Sequence, residues 1–152
     1  MFSKFLLAFD GTREGREALR EAIELACKLG AKVHLVSVVD LAPLNMMSET
    51  TFAARMLEDQ EAEMRKALDE GVAELRKAGL EADATLSQAI GTAQDIAAVA
   101  RDVGADLIVL GHRDQSLLAR LWNGSVGQQL IKHAPCSVLV AVGPTKASAA
   151  AA

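Results

Sequence analysis

Phe5-Leu6-Leu7-Ala8-Phe9-Asp10-Gly11-Thr12 is the stretch of sequence that decides the fold. Its first five residues are apolar without interruption, which indicates a short strand buried on both faces, as in a parallel sheet. Asp10 and Gly11 then predict a turn, and Thr12 offers a side-chain oxygen to cap a helix. We therefore expect this segment to form the first strand, turn and helix start of an α/β domain.

The alternation of strand and helix continues along the whole chain. Further strands are predicted at residues 33–39, 80–87, 105–110 and 137–142, and the alternating polarity of 80–87 indicates an edge strand. Helical spacing of apolar residues fills the intervals, with stops at Gly30, Gly79 and Pro135 and an expected N-cap at Thr92. The pattern predicts one open five-stranded parallel sheet with helices on both faces.

Composition excludes several classes of function. The 152 residues fit one domain, and the net charge of -4 with few aromatic residues argues against a nucleic-acid platform. The two cysteines, Cys27 and Cys136, form no CxxC pair, which favours a reducing compartment. No apolar run is long enough for a signal peptide or a membrane span, so we expect a cytoplasmic protein without a membrane partner. We expect a domain over residues 1–144 and a disordered or frayed Ala-rich tail over 145–152.

Glycines follow the first and fourth strands, where ligands bind in open parallel sheets. The fourth strand leads into residues 111–114 (Gly-His-Arg-Asp), and nine residues later comes Gly124-Ser125-Val126. Gly111 is expected to let the backbone turn sharply, and the helix start at Gly124-Ser125 to favour an anion such as phosphate. The same glycines are also ordinary punctuation between elements, so these residues alone leave the question open.

Five motifs in this order resemble the universal stress protein family. They are Asp10-Gly11-Thr12 with Ala18-Leu19, then residues 36–40, 104–111, 124–126 and 133–140. The resemblance covers residues 3–142 and implies a Rossmann-like sheet in the strand order 3-2-1-4-5. The order then reverses between strands one and four, which is where the glycines lie.

One branch of that family binds ATP through the motif G-x2-G-x9-G-[ST]. This sequence matches the motif at Gly111, Gly124 and Ser125, with the nine-residue spacer intact, and carries Asp114 in place of the second glycine. A carboxylate near phosphates weakens binding unless it turns to solvent, pairs with an arginine or meets a divalent metal. The resemblance therefore implies a regulatory ATP-binding protein with little or no turnover, with Mg²⁺ or Mn²⁺ beside the phosphates.

The resemblance also implies a set of site residues. Asp10 is expected to face the adenine or ribose, with Gly11 and Thr12 in the same turn and Val38 beside the adenine. The phosphates are expected to lie over the remaining members, which are Gly111, His112, Arg113, Asp114, Gly124, Ser125 and Val126. No catalytic residue is assigned, since no general base other than Asp114 is positioned there.

Alternatives of other classes remain. The last strand, residues 137–142, is apolar and is expected at a sheet edge, which favours pairing with a second copy. The resemblance implies the same, because members of the family form homodimers through their final strands. The protein is then either a nucleotide-binding dimer or an interaction module that binds no nucleotide. A slow ATPase is a third possibility. A binder of AMP or cyclic AMP is a fourth, because Asp114 disfavours a long polyphosphate more than a single phosphate.

Overall fold

A computed structural model describes residues 1–42, 51–112 and 125–142 of the chain. Arg113, Asp114, Gly124 and the expected tail at 145–152 lie outside these residues. In chain order the elements are β1 (Lys4–Ala8), α1 (Arg13–Leu29), β2 (Lys32–Asp40), α2 (Thr51–Lys77), β3 (Ala82–Ala89), α3 (Thr92–Val103), β4 (Leu107–His112), α4 (Ser125–His133) and β5 (Ser137–Val142).

The five strands form one parallel sheet in the order β3-β2-β1-β4-β5, which confirms the predicted topology. Leu7 of β1 lies opposite Leu35 of β2 and Val109 of β4, so the first strand occupies the centre. The two edges are β3, as its alternating polarity predicts, and β5. Successive connections place the switch in strand order between β1 and β4.

The apolar run of β1 is explained by helices on both faces of the sheet. Phe5, Leu7 and Phe9 point to the side covered by α1 and α2, and Leu6 and Ala8 point to the side covered by α3 and α4. All five side chains are at most 8% exposed. A strand with a wet face would alternate in polarity, and this one cannot because neither face meets water.

Two strands begin later than the sequence predicts, because the end of the preceding helix uses the intervening residues. Leu80 donates its N–H to the carbonyl of Leu75, and Gly79 has a φ of 84°, so both residues close α2 and β3 begins at Ala82. Ala105 likewise donates to the carbonyl of Ala100, and β4 begins at Leu107. Both endings are hydrogen-bonded in the manner of a glycine C-cap.

Of the two predicted N-caps, Thr12 is confirmed and Thr92 is wrong. Thr12 caps α1, because its hydroxyl oxygen accepts a hydrogen bond from the N–H of Gly15 at 3.1 Å. Thr92 is not a cap: it is the first residue of α3, and the N-cap is Gly91, whose φ of 108° is accessible to glycine. No side chain caps that helix start, so the threonine prediction was wrong by one residue.

Helix α2 packs on the sheet over only part of its length. Its three buried residues, Leu68, Gly71 and Leu75, all lie in its second half. Gly71 allows a close approach, since a Cβ atom there would lie 2.7 Å from Cδ1 of Leu35. Residues in the first half of α2 are at most half-buried, and Gln60 and Met64 from that half line the candidate site.

Candidate functional site at the carboxyl edge of the sheet

The turn after β1 is held by hydrogen bonds within itself. Oδ1 of Asp10 accepts from the backbone N–H of Thr12 at 3.0 Å and from its hydroxyl at 2.6 Å. Gly11 takes a left-handed conformation with φ 74°, which a residue with a side chain adopts at a cost. Gly15 leaves room for the Asp10 carboxylate, because a Cβ atom at residue 15 would lie 2.6 Å from Oδ1 of Asp10. The turn therefore fixes the orientation of the Asp10 carboxylate.

A residue on β2 fastens the end of the first strand. Phe9 follows β1 and donates its N–H to the carbonyl of Val36 at 2.8 Å, while its own carbonyl accepts a hydrogen bond from the hydroxyl of Ser37. Ser37 is 2% exposed and is the one buried polar residue among those the structure describes. Sequence reasoning missed Ser37, although a serine among the apolar residues 35–39 was the available clue.

Asp10 and Val38 line the same cavity. The cavity has a volume of about 70 Å³ and lies over the ends of β1 and β2, beside the first turns of α3. Its walls are formed by Phe9, Asp10, Val36, Val38, Asp40, Gln60, Met64, Thr92 and Ile96. Apolar walls with carboxylates at the rim suit a flat ring that carries hydrogen-bond donors.

A second cavity of about 390 Å³ lies between α2 and the start of α1. It shares Asp10, Gln60 and Met64 with the first cavity and adds Arg16 and Glu70. The Arg16 guanidinium donates from Nη2 to Oε2 of Glu70 at 2.8 Å. This hydrogen bond lowers the pKa of the Glu70 carboxyl below its usual value.

Gly111 and His112 belong to β4 rather than to the loop after it. Gly111 pairs with Ala141 of β5 and His112 with Val142, and Gly111 does not have a positive φ. The expectation that Gly111 turns the chain sharply was therefore wrong: the strand continues through it, because its partner strand β5 runs alongside. Gly111 nevertheless lies near the carboxyl end of β4, beside the switch in strand order between β1 and β4.

Helix α4 begins at Ser125, and Val126 is its second residue. The predicted helix start in this region is thus confirmed in the backbone, and the start of a helix is in general a place that favours an anion. Arg113, Asp114 and Gly124 lie outside the described residues, so their part of the predicted site stays a prediction.

Neither a metal centre nor a membrane segment is found in residues 1–42, 51–112 and 125–142. Within those ranges no three side chains of the types His, Cys, Asp and Glu are grouped so as to hold a metal ion. In the same part of the chain no helix is both long and apolar enough to cross a bilayer. His34 shares a hydrogen bond of 2.8 Å with the hydroxyl of Thr85, and neither residue lines the two cavities.

Comparison with known proteins agrees with the topology and the motifs. Universal stress protein MJ0531 of Methanocaldococcus jannaschii is 29% identical over 146 residues, which cover 96% of this chain and 85% of that protein. A putative universal stress protein of Staphylococcus epidermidis is 31% identical over 140 residues, which cover 91% of this chain and 83% of that protein.

Solved structures give the same result at the level of the fold. A universal stress protein family member from Burkholderia pseudomallei has a TM-score of 0.73 at 29% identity and covers 92% of this chain, with 96% of its own chain matched. A universal stress protein from Archaeoglobus fulgidus in complex with dAMP has a TM-score of 0.63 at 23% identity, over 91% of this chain and 97% of that one. A universal stress protein in complex with cAMP has a TM-score of 0.62 at 20% identity, over 93% of this chain and 97% of that one.

The sequence model of the Universal stress protein family matches residues 1–142. That range includes every described strand and helix, together with the turn, the cavities and the helix start of the candidate site. The chain belongs to the universal stress protein family.

Proposed function

We propose that this universal stress protein is a regulatory protein that binds an adenine nucleotide, ATP in the first instance, with little or no turnover. The observation that carries the proposal is that Asp10 and Val38 line one cavity at the carboxyl ends of adjacent parallel strands. Ligands of open parallel sheets bind beyond these ends, beside the switch in strand order. Two similar proteins, in complex with dAMP and with cAMP, support an adenine nucleotide as the ligand.

In this proposal the adenine enters the cavity beside Val38, and the Asp10 carboxylate accepts hydrogen bonds from the base or the ribose. The cavity of about 70 Å³ is smaller than the roughly 300 Å³ of a usual small-molecule site, so side chains must move to admit the ring. Met64, which lies between the two cavities, is flexible enough to do so.

The phosphates then lie toward β4 and α4. The backbone at Gly111 and His112 approaches from β4, and the N–H groups at the start of α4, with Ser125 and Val126, attract negative charge. Arg113, Asp114 and Gly124 complete the proposed cradle, and Mg²⁺ or Mn²⁺ beside the phosphates would offset part of the repulsion between them and the Asp114 carboxylate. Binding at this place would order the cradle and change a surface offered to a partner.

A nucleotide with one phosphate is the second candidate. Asp114 stands where the ATP-binding motif has glycine, and a carboxylate repels a triphosphate more than a single phosphate. The ligands named for the two similar proteins, dAMP and cAMP, each carry one phosphate. AMP or cyclic AMP therefore has a specific observation in its favour.

In this proposal the protein acts in the cytoplasm as a homodimer. Cys27 and Cys136 are both free, which suits a reducing compartment. β5 stands at the sheet edge with Leu139 40% exposed, so its open backbone can pair with the same strand of a second copy.

Isothermal titration calorimetry with ATP, AMP, cyclic AMP and GTP, each with and without Mg²⁺, tests the proposal. We expect binding of an adenine nucleotide in preference to GTP, and tighter ATP binding in Asp114→Gly and Asp114→Asn. Asp102→Asn is the matched control, because it removes the same charge from an exposed position on α3. No heat with any of the four nucleotides at millimolar concentration would reject nucleotide binding and favour a dimeric interaction module.

A further inference from the structure

Helix α2 supplies Gln60 and Met64 to both cavities, yet the part of the helix that carries them buries no residue. The anchor of the helix on the sheet begins only at Leu68. A helical segment whose side chains are at most half-buried is held only weakly by its own packing, so its position also depends on how the rest of the helix is attached. The contacts just before and beside Leu68 therefore contribute to where Gln60 and Met64 lie.

Two contacts meet this requirement, and both join α2 to the turn that carries Asp10. Gly11 lies so close to the helix that a Cβ atom there would be 2.7 Å from Cβ of Ala67. Arg16 donates from Nε to the carbonyl of Gly11 at 3.2 Å and from Nη2 to Oε2 of Glu70 at 2.8 Å. One guanidinium thus bridges the turn and the helix.

We propose that Arg16 is a positioning residue for the nucleotide site: it fastens the Asp10 turn to α2 and so sets the width of the cleft beside Met64. The inference rests on the proposed function, since the cleft is where the base would enter. The role requires arginine, because its rigid fork presents two donors to two acceptors on different elements. A lysine ammonium at the same place is a point charge and cannot hold both in fixed geometry.

The role is separate from fold stability. The side chains of Arg16 and Glu70 are 38% and 45% exposed, and an ion pair in such a setting adds little to the free energy of unfolding. Removing the bridge should therefore leave the unfolding midpoint almost unchanged and loosen the turn relative to the helix. A residue with only a structural role would instead lower the unfolding midpoint when it is replaced.

Four variants test the bridge: Arg16→Gln, Glu70→Gln, the double variant, and Arg13→Gln as the matched control. Arg13 lies in the same first turn of α1, but its ion pair is with Glu17 of its own helix and its side chain is 82% exposed. Arg16→Gln should weaken affinity for the adenine nucleotide about threefold to tenfold, and the double variant no more than the worse single. Arg13→Gln should change affinity less than about twofold.

Hydrogen exchange of the ligand-free protein gives a second, independent measurement. The amides of Thr12 and Gly15 donate to Oδ1 of Asp10 and to the Thr12 hydroxyl, so they report on the order of the turn. Arg16→Gln should speed their exchange about threefold to tenfold relative to the amides of β1, and Arg13→Gln should not. Unchanged exchange in Arg16→Gln, or an equal effect of Arg13→Gln, would overturn the inference.

The two measurements separate the possible failures. If the wild-type protein binds no nucleotide, the proposed function fails and the exchange rates still decide the role of Arg16 in holding the turn. If the wild-type protein binds nucleotide and Arg16→Gln binds it equally well, the proposed function stands and the positioning role is wrong.

Discussion

The hydroxyl of Ser37 donates a hydrogen bond to the carbonyl oxygen of Phe9, and so joins β2 to the residue directly before Asp10. A second hydrogen bond joins Phe9 to the same strand, because its N–H donates to the carbonyl of Val36. The chain therefore leaves the sheet from a clamped residue, and the turn beyond it begins from a defined place. The clamp explains why a serine stands in the buried part of β2.

Ser37→Ala should lower the free energy of unfolding by about 1–3 kcal/mol, because it leaves the buried Phe9 carbonyl without its partner. Urea unfolding followed by circular dichroism measures the change. Ser87→Ala is the control, since Ser87 is half-buried on the neighbouring strand β3, opposite Val38, and takes no part in the clamp. Equal losses in the two variants would contradict a special role for Ser37.

Gly11→Ala should destabilise the protein by about 2–4 kcal/mol, for two reasons. Its φ of 74° strains any residue with a Cβ atom, and that atom would collide with Cβ of Ala67. Gly30→Ala isolates the first cost, because Gly30 has a φ of 64° and nothing within 4 Å of an added Cβ. Thermal and urea unfolding of both variants give the difference.

A rescue experiment sharpens the interpretation of Gly11→Ala. Adding Ala67→Gly removes the atom that the new side chain meets. The double variant should therefore recover the part of the lost unfolding free energy that is due to the collision, which is the excess of the Gly11→Ala loss over the Gly30→Ala loss. The recovery should be smaller by the cost of a glycine within a helix. An absence of rescue would mean that backbone strain alone accounts for the effect.

Leu139→Glu should shift the proposed homodimer toward monomer, with at least about a tenfold rise in the dimer dissociation constant. Leu139 is 40% exposed on β5, where a charge would be buried by a second copy of the strand. Ile131→Glu is the control, because Ile131 is 61% exposed on α4 rather than on the edge strand. Light scattering after size-exclusion chromatography should distinguish the variants, and equal behaviour would argue against the β5 interface.

The pH dependence of stability should carry a contribution from His34. Burial lowers the pKa of its imidazole below the ordinary 6.5, with Asp83 raising the pKa and Lys4 lowering it by their charges. The unfolded chain then binds more protons than the folded one between the folded pKa and about 6.5, so stability rises with pH across that window. The full contribution is present above the window and is lost as the pH falls through it.

His34→Gln removes the titration and can keep a hydrogen bond to Thr85. The difference in unfolding free energy between pH 7.5 and pH 5 should therefore be smaller in His34→Gln than in the wild type. An unaltered pH profile in His34→Gln would show that His34 does not contribute.

Most of the topology was predictable because burial leaves a local record in the sequence. The apolar run 5–9 predicts a two-sided strand, and the polar alternation near residue 85 predicts an edge; both are confirmed. The strand boundaries near Leu80 and Ala105 were wrong by two residues, since cap hydrogen bonds compete with strand formation there. Gly111 was misplaced in a loop for a related reason: its place in β4 depends on β5, not on its neighbours in sequence.

The sequence by itself determined the α/β class, the turn at Asp10 and the helix start at Ser125, because these follow from neighbouring residues and their intrinsic preferences. Tertiary structure alone decided that Ser37 would hold Phe9, that Arg16 would bridge Gly11 and Glu70, and that Asp10 and Val38 would share a cavity. Those contacts join residues on separate elements, and hydrophobic periodicity records only which face of an element is buried. It does not record which side chains meet there.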